Sequence, residues 1–405
     1  MKNLELLAPA GNLEKLKTAF LYGADAVYLG IPDFSLRVRI NDFDFPQIIE
    51  GIKYAHYLGK KVYVTVNIFA HQEHLKKLPA YLKLLKKAQP DALIVSDPGI
   101  IQIIKEVWPE AEIHLSTQAN CTNSSAAKFW LKNGVSRIVL GREVTLAEIK
   151  EIHKAVPRME LEYFVHGAMC MAYSGRCFLS KEMLNRSGNL GDCAQPCRFE
   201  YSIKAKNHEE EFELVSEEHG SYLLNSKDLC LIKHLKDLKD AGVTSFKIEG
   251  RAKSVYYQAL VCGVYRRALK TKDQKELNFL AKELKDKLVN RGYTTGFLLK
   301  EKAAQNTESS HYLSNWEFCG QVLSQDANRI SFKVHNTVKV GDNLELILPG
   351  YDIIKLKPKH LFTAKGGAEI TEAHGGGGSQ IAMLDLPKNC PDIPVGAVLC
   401  RQKNN

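Results

Sequence analysis

The chain has 405 residues, 45% of them hydrophobic and 25% charged, with a formal net charge of +9. That length points to two domains or more, and the composition is that of a globular protein, not of a disordered or fibrous one. No apolar run reaches the roughly 18 residues of a membrane span, and the opening MKNLELLAPAG lacks the basic and apolar regions of a secretory signal. The expectation is a cytoplasmic protein, not held in a membrane, in which clustered cysteines stay reduced. The positive charge is compatible with a nucleic-acid partner without requiring one.

Short runs rich in Val, Ile, Leu and Tyr recur at 4–8, 26–30, 62–67, 92–97, 112–117, 137–141, 161–167 and 245–250. They are nearly continuous, as strands buried on both faces are. Helical stretches separate them. Residues 13–22 open after Asn12, a good N-cap. Residues 78–88 put Pro79 in a first turn and Leu78, Leu82 and Leu85 on one stripe. Residues 146–156 and 229–238 behave alike, the latter capped by Asn225-Ser226 and stopped by Gly242. Eight strands, most followed by a helix, is the count of a TIM-like (β/α)8 barrel, with a doubly wound open sheet as the alternative.

In a barrel the chemistry sits at the C-terminal ends of the strands. Those ends read Pro9-Ala10-Gly11-Asn12, Asn67, Asp97-Pro98, Ser116-Thr117-Gln118-Ala119-Asn120, Gly141-Arg142-Glu143, His166-Gly167 and Glu249-Gly250-Arg251. Polar loops are ordinary for any one of these; the set as a whole marks a mouth. After the seventh strand the spacing breaks. A long insertion, about 168–227, carries a cysteine cluster and is expected over the barrel mouth. Within it, 206–220 is charged and reads as a solvated loop.

Residues 254–269 read as a strong amphipathic helix and 276–289 as another, completing a barrel domain over 1–302. Residues 303–316 read as a linker. From 317 to 405 the pattern alternates with turn signals at Asp326-Ala327-Asn328 and Val340-Gly341-Asp342, the mark of a small C-terminal all-β barrel domain. The HGGGGS run from His374 reads as a flexible turn.

Four of the ten cysteines fall within 28 residues: Cys170, Cys177, Cys193 and Cys197. Gly, Asp, Gln and Pro surround the second pair, so a thiolate-bound metal accounts for the segment better than burial does. The C-x6-C-x15-C-x3-C spacing matches neither a zinc ribbon nor a ferredoxin run, and leaves zinc and an iron–sulfur cluster both open. Cys230 is a substitute ligand. Cys121, Cys262, Cys319, Cys390 and Cys400 are isolated and read as structural. There is no H-E-x-x-H, no G-x-S-x-G, no Walker loop and no dinucleotide G-x-G-x-x-G. No residue is thereby assigned as catalytic acid, base or nucleophile.

Five blocks together carry a family likeness: ELLAPAGNLEKLKTAFLYGADAVYLG, HGAMCMAYSGRC, GDCAQPCR, NSKDLC and FKIEGRAKSVYYQALVCGVYR. In this order the chain resembles the U-32 peptidase family, the collagenase-like proteases, over essentially its whole length. It is most similar to the branch implicated in prephenate-dependent 5-hydroxylation of the wobble uridine in tRNA. The resemblance implies a [4Fe–4S] cluster on Cys170, Cys177, Cys193 and Cys197, with zinc as the alternative metal. It transfers no proteolytic residue.

On that reading Arg142, Arg176 and Arg251 are candidates to hold the two carboxylates of a prephenate-like molecule, with His166 and Glu249 beside them. Ordinary ion pairs to Glu143 or Glu249 are the plainer account of the arginines. Lysines would meet tRNA phosphates, and a protein partner is left open. The competing functions are a collagenase-like peptidase and a zinc-stabilised RNA-binding protein.

Overall fold

The computed structural model describes residues 4–32, 34–35, 43–169, 179–187, 192–199, 226–300, 304, 306, 312, 314–376 and 380–403. They form two compact units: Met1–Phe20 with Ala24–Lys253 and Asn290–Tyr312, and Leu21–Gly23 with Ser254–Val289 and Leu313–Asn405.

In the first unit β1 (Glu5–Ala10), β2 (Ala26–Gly30), β3 (Lys61–Val66), β4 (Ala92–Val95), β5 (Ile113–Leu115), β6 (Arg137–Val139) and β7 (Glu160–Gly167) pair side by side, all parallel. Then come β8 (Asp228–Cys230), β9 (Val243–Ile248) and β10 (Tyr293–Thr294). Strand β9 pairs in parallel with both β7 and β1, which closes eight strands into a barrel and disposes of the open sheet. The helices between them are α1 (Leu13–Leu21), α2 (Phe45–Tyr57), α3 (Gln72–Ala88), α4 (Pro98–Val107), α5 (Ser124–Lys132) and α6 (Leu146–Ala155). They are followed by α7 (Leu179–Leu184) and α8 (Leu235–Asp240).

Two elements depart from the sequence reading. Helix α3 begins at Gln72, so Pro79 lies inside it and not in its first turn. The backbone N–H of His71 is held by the His74 ring at 2.9 Å, and that early start overrides the proline signal. Leu78, Leu82 and Leu85 do form the buried stripe. The segment read as a helix from 229 starts instead as strand β8, which runs antiparallel to the end of β7, pairing His166 with Cys230. The helix follows only at Leu235. Both β8 and β10 are too short to show a period of their own.

The second unit holds α9 (Val255–Ala268) and α10 (Gln274–Lys287) with an all-antiparallel β module. Its strands are β11 (Trp316–Asp326), β12 (Arg329–Val334), β13 (Val338–Lys339), β14 (Leu344–Ile347), β15 (Ile353–Leu356), β16 (Leu361–Thr363), β17 (Glu369–Ile370), β18 (Glu372–Ala373), β19 (Ile381–Asp385) and β20 (Val398–Gln402). Eight of them make one sheet in the order β15-β14-β20-β11-β12-β19-β16-β17, and β13 pairs with β18. Alternate residues such as Ile330, Phe332 and Val334 point into its core. Helix α9 is buried around nearly its whole circumference, not along one stripe. Tyr22 ties the unit internally: its hydroxyl donates to the Ile347 carbonyl at 2.6 Å and accepts from the Val398 N–H at 3.0 Å. The regions read as the charged loop at 206–220 and the tip of the HGGGGS run lie outside the described residues, as does most of the 303–316 stretch.

Candidate active site at the barrel mouth

Several polar strand ends spend their side chains on backbone. Asn12 Oδ1 accepts from Lys15 N at 3.0 Å, and Asp97 caps α4 through the N–H groups of Gly99 (2.7 Å) and Ile100 (3.0 Å). These two are explained as helix caps. Asn67 and Ser116 are buried and joined, Asn67 Nδ2 donating to Ser116 Oγ at 3.3 Å.

The arginines behave differently. Arg142 is buried, and its guanidinium lies 3.9 Å from the centre of the Phe164 ring on β7. The Tyr163 hydroxyl is shared between the carbonyls of Arg142 (3.1 Å) and Val144 (2.9 Å), which holds the turn after β6 in place. Arg251, also buried, donates to Thr65 Oγ1 at 3.4 Å and lies 6.0 Å from the Tyr28 ring. Tyr28 in turn donates to the Ile248 carbonyl at 3.0 Å.

A third cation, absent from the sequence reading, links the two. Lys247 Nζ lies 5.5 Å from the Phe164 ring and 4.4 Å from the Tyr28 ring. The two aromatic rings thus collect Arg142, Lys247 and Arg251 in one buried region. Ser245, Lys247, Glu249 and Arg251 recur at two-residue spacing in the sequence, and that alternation of polar residues was the available signal.

Below the cations the barrel interior is ionic. Glu162 is fully buried and accepts from Lys247 Nζ (2.6 Å), Ser245 Oγ (3.0 Å) and Arg137 Nη1 (3.1 Å). Arg137 also reaches Glu5 at 2.5 Å and Glu160 at 2.8 Å, and Tyr63 donates to Glu5 at 2.6 Å. Burial alone would raise the Glu162 carboxyl; Lys247 and Arg137 outweigh it and hold the group below the usual range. It is therefore ionised, and it holds the Lys247 ammonium.

His166 is buried at the end of β7, its ring centre 5.5 Å from that of Tyr293. Desolvation pushes its pKa down to about 4, against the pull of Asp228, so it is a neutral imidazole at pH 7. The next residue, Gly167, has φ +109°, and a Cβ there would stand 2.6 Å from the Glu249 carbonyl oxygen. Glycine thus permits β7 and β9 to meet at the mouth, where Glu249 N donates to His166 O at 2.9 Å.

Of the cysteines, Cys170 and Cys177 lie outside the described residues, as does Arg176. Cys193 is exposed and Cys197 half-buried, on either side of a left-handed Gln195 and at the 3-10 turn Pro196–Arg198. Cys193 Sγ accepts the Gln195 N–H at 3.3 Å. Two soft donors thus lie four residues apart at this turn, a donor type that suits a thiolate-bound metal, while the two other cysteines of the expected set lie outside the described residues. Half-buried Cys230 stands opposite His166 on β8. Among the described residues no three metal-ligating side chains gather. Cys121, Cys262, Cys319 and Cys400 are buried, and desolvation raises each thiol, to about 11 for Cys121 and about 12 for Cys262 and Cys400. Cys390 packs against the β-module core.

Among the described residues no helix is long and apolar enough to cross a membrane. Comparison with known proteins matches residues 11–308 to Peptidase family U32 and residues 314–393 to the Peptidase family U32 C-terminal domain. The chain is 41% identical to tRNA hydroxylation protein P of Escherichia coli, over 90% of each chain. It is 40% identical to tRNA hydroxylation protein P1 of Bacillus subtilis, over 86% of this chain and 84% of that one. It is 33% identical to a collagenase of Porphyromonas gingivalis, over 76% of each. With barrel and β module both matched, the chain belongs to peptidase family U32.

Proposed function

We propose that this protein is an iron–sulfur enzyme of the cytoplasm that takes part in the prephenate-dependent 5-hydroxylation of the wobble uridine of tRNA. The observation that carries the reading is the group of three buried cations at the barrel mouth, in a chain about 40% identical to tRNA hydroxylation proteins along most of its length. A guanidinium held by its face on an aromatic ring directs its N–H donors around its edge, the geometry in which a carboxylate takes two at once. Arg142 and Arg251 would each take one carboxylate of a small dicarboxylate. Lys247, its charge balanced by Glu162, would pack against the Tyr28 and Phe164 rings between them. His166, neutral at pH 7, would offer a hydrogen bond in place of a charge.

Cys170, Cys177, Cys193 and Cys197 would hold the [4Fe–4S] cluster, which when bound supplies electron or oxygen-transfer chemistry. The family name and the collagenase relative support a second reading, a peptidase.

Purification without oxygen tests the two. About four irons and four sulfides per chain, with a broad visible absorbance that fades in air, are expected. Stoichiometric zinc with no colour would remove the redox cluster. Cleavage of gelatin by that preparation, lost on a single substitution, would favour the peptidase.

A further inference from the structure

The β module carries an array of charge that the barrel chemistry does not use. Strand β15 is the end strand of its sheet, paired only to β14. Along it and just beyond, Lys355, Lys357 and Lys359 are exposed, while Leu356 and Pro358 between them are buried. The Pro358 carbonyl accepts from Gly341 N at 2.8 Å and pins the segment past the end of the strand. In an extended chain every second residue recurs at about 6.7 Å. The alternation of exposed lysines with buried Leu356 and Pro358 places the three lysines on one side of the segment.

Carboxylates of the β module are engaged elsewhere. Glu345, directly across from Lys355, lies 2.5 Å from Lys287 Nζ. Glu317 and Asp342 both hold Arg401, Asp385 holds Arg329, and Glu372 holds Lys339. Among the described residues no ion pair engages Lys355, Lys357 or Lys359. A lone lysine suffices to keep an end strand from pairing with another chain. Three in step do more: they match a polymer that carries one negative charge per unit.

We infer that Lys355, Lys357 and Lys359 form a strip that grips successive backbone phosphates of an RNA substrate. This rests on the RNA-modifying reading and adds to it the surface that holds the nucleic acid. Such contacts are read from backbone charge and carry no base specificity.

The test measures binding of an unmodified tRNA transcript to the full chain over a range of salt concentrations. The variants are Lys355→Gln/Lys357→Gln/Lys359→Gln and, as a control of equal charge, Lys76→Gln/Lys83→Gln/Lys87→Gln on the exposed face of α3. The strip variant is expected to bind about tenfold more weakly at low salt, with the log–log salt slope reduced by roughly 2–3. The control is expected to stay near wild type. An equal loss in both variants would assign the effect to net charge and overturn the strip. So would unchanged tRNA binding in the strip variant, including the case in which that variant loses only its binding to phosphatidylserine vesicles or self-associates. Failure of the wild-type chain to bind tRNA would instead defeat the RNA reading itself.

Discussion

Arg142 lies with its guanidinium 3.9 Å from the centre of the Phe164 ring, the closest of the cation–ring contacts at the barrel mouth. A desolvated contact of this kind is worth about 2 kcal/mol. It aims the planar fork, and lysine cannot reproduce that fork. On the proposed function, Arg142→Lys is expected to raise the concentration of the small dicarboxylate needed for half-maximal hydroxylation about tenfold or more, with little change in unfolding midpoint. Phe164→Leu should shift it in the same direction by less. An unchanged requirement in Arg142→Lys would remove this residue from the anion site.

Lys247 and Glu162 are both buried and 2.6 Å apart. Removing one partner of such a pair leaves a charge without its counterion, at a cost of about 3–5 kcal/mol. Lys247→Met should fall at the low end, because Glu162 keeps Arg137 and Ser245. Urea unfolding of Lys247→Met, Glu162→Gln and the double variant should show the double well short of the sum. Strict additivity would mean that the two side chains do not act as a pair.

His114 and His166 together give the stability its pH dependence on the acid side of neutrality. Burial, reinforced by Arg137, Lys247 and Lys61, holds the His114 pKa well below the usual value. The folded state therefore resists the proton that the unfolded chain takes up below about pH 6.5, and stability is lost as pH falls through that value. The His114 ring packs edge-on to Tyr63 at 4.7 Å, and its Nδ1 has no hydrogen-bond partner among the described residues. In His114→Phe the unfolding free energy should be flatter between about pH 6.5 and 5. A slope equal to wild type would place the dependence on another group. Glu162 adds a separate loss, setting in only below about pH 4.3, where the unfolded carboxyl gains its proton.

The barrel was legible because its strands are buried on both faces, so that stretches such as Ala26–Gly30 stand out as unbroken apolar runs. The same habit hid the ionic interior. Glu5, Arg137 and Glu162 sit at or near strand beginnings, where a charge reads as the edge of a run, yet the closed barrel turns them inward against one another. Lys247 was missed for a different reason: it lies inside β9, between Phe246 and Ile248, where a single charge is lost in an apolar run. Arg142 and Arg251 were found because they follow the ends of strands, where the fold leaves room for chemistry. Pairing of β8 with β7 was not legible: three residues carry no period, and the contact between His166 and Cys230 joins positions 64 apart.

Hydroxylation of tRNA by this chain can be read directly by nucleoside mass spectrometry. The cells lack their own enzyme for 5-hydroxylation of the wobble uridine and carry either this chain or its Cys193→Ala variant. 5-Hydroxylated uridine is expected with the wild-type chain and none with the variant, at matched protein levels. Hydroxylated tRNA persisting with Cys193→Ala would contradict the cysteine site, and its absence with the wild-type chain would contradict the function.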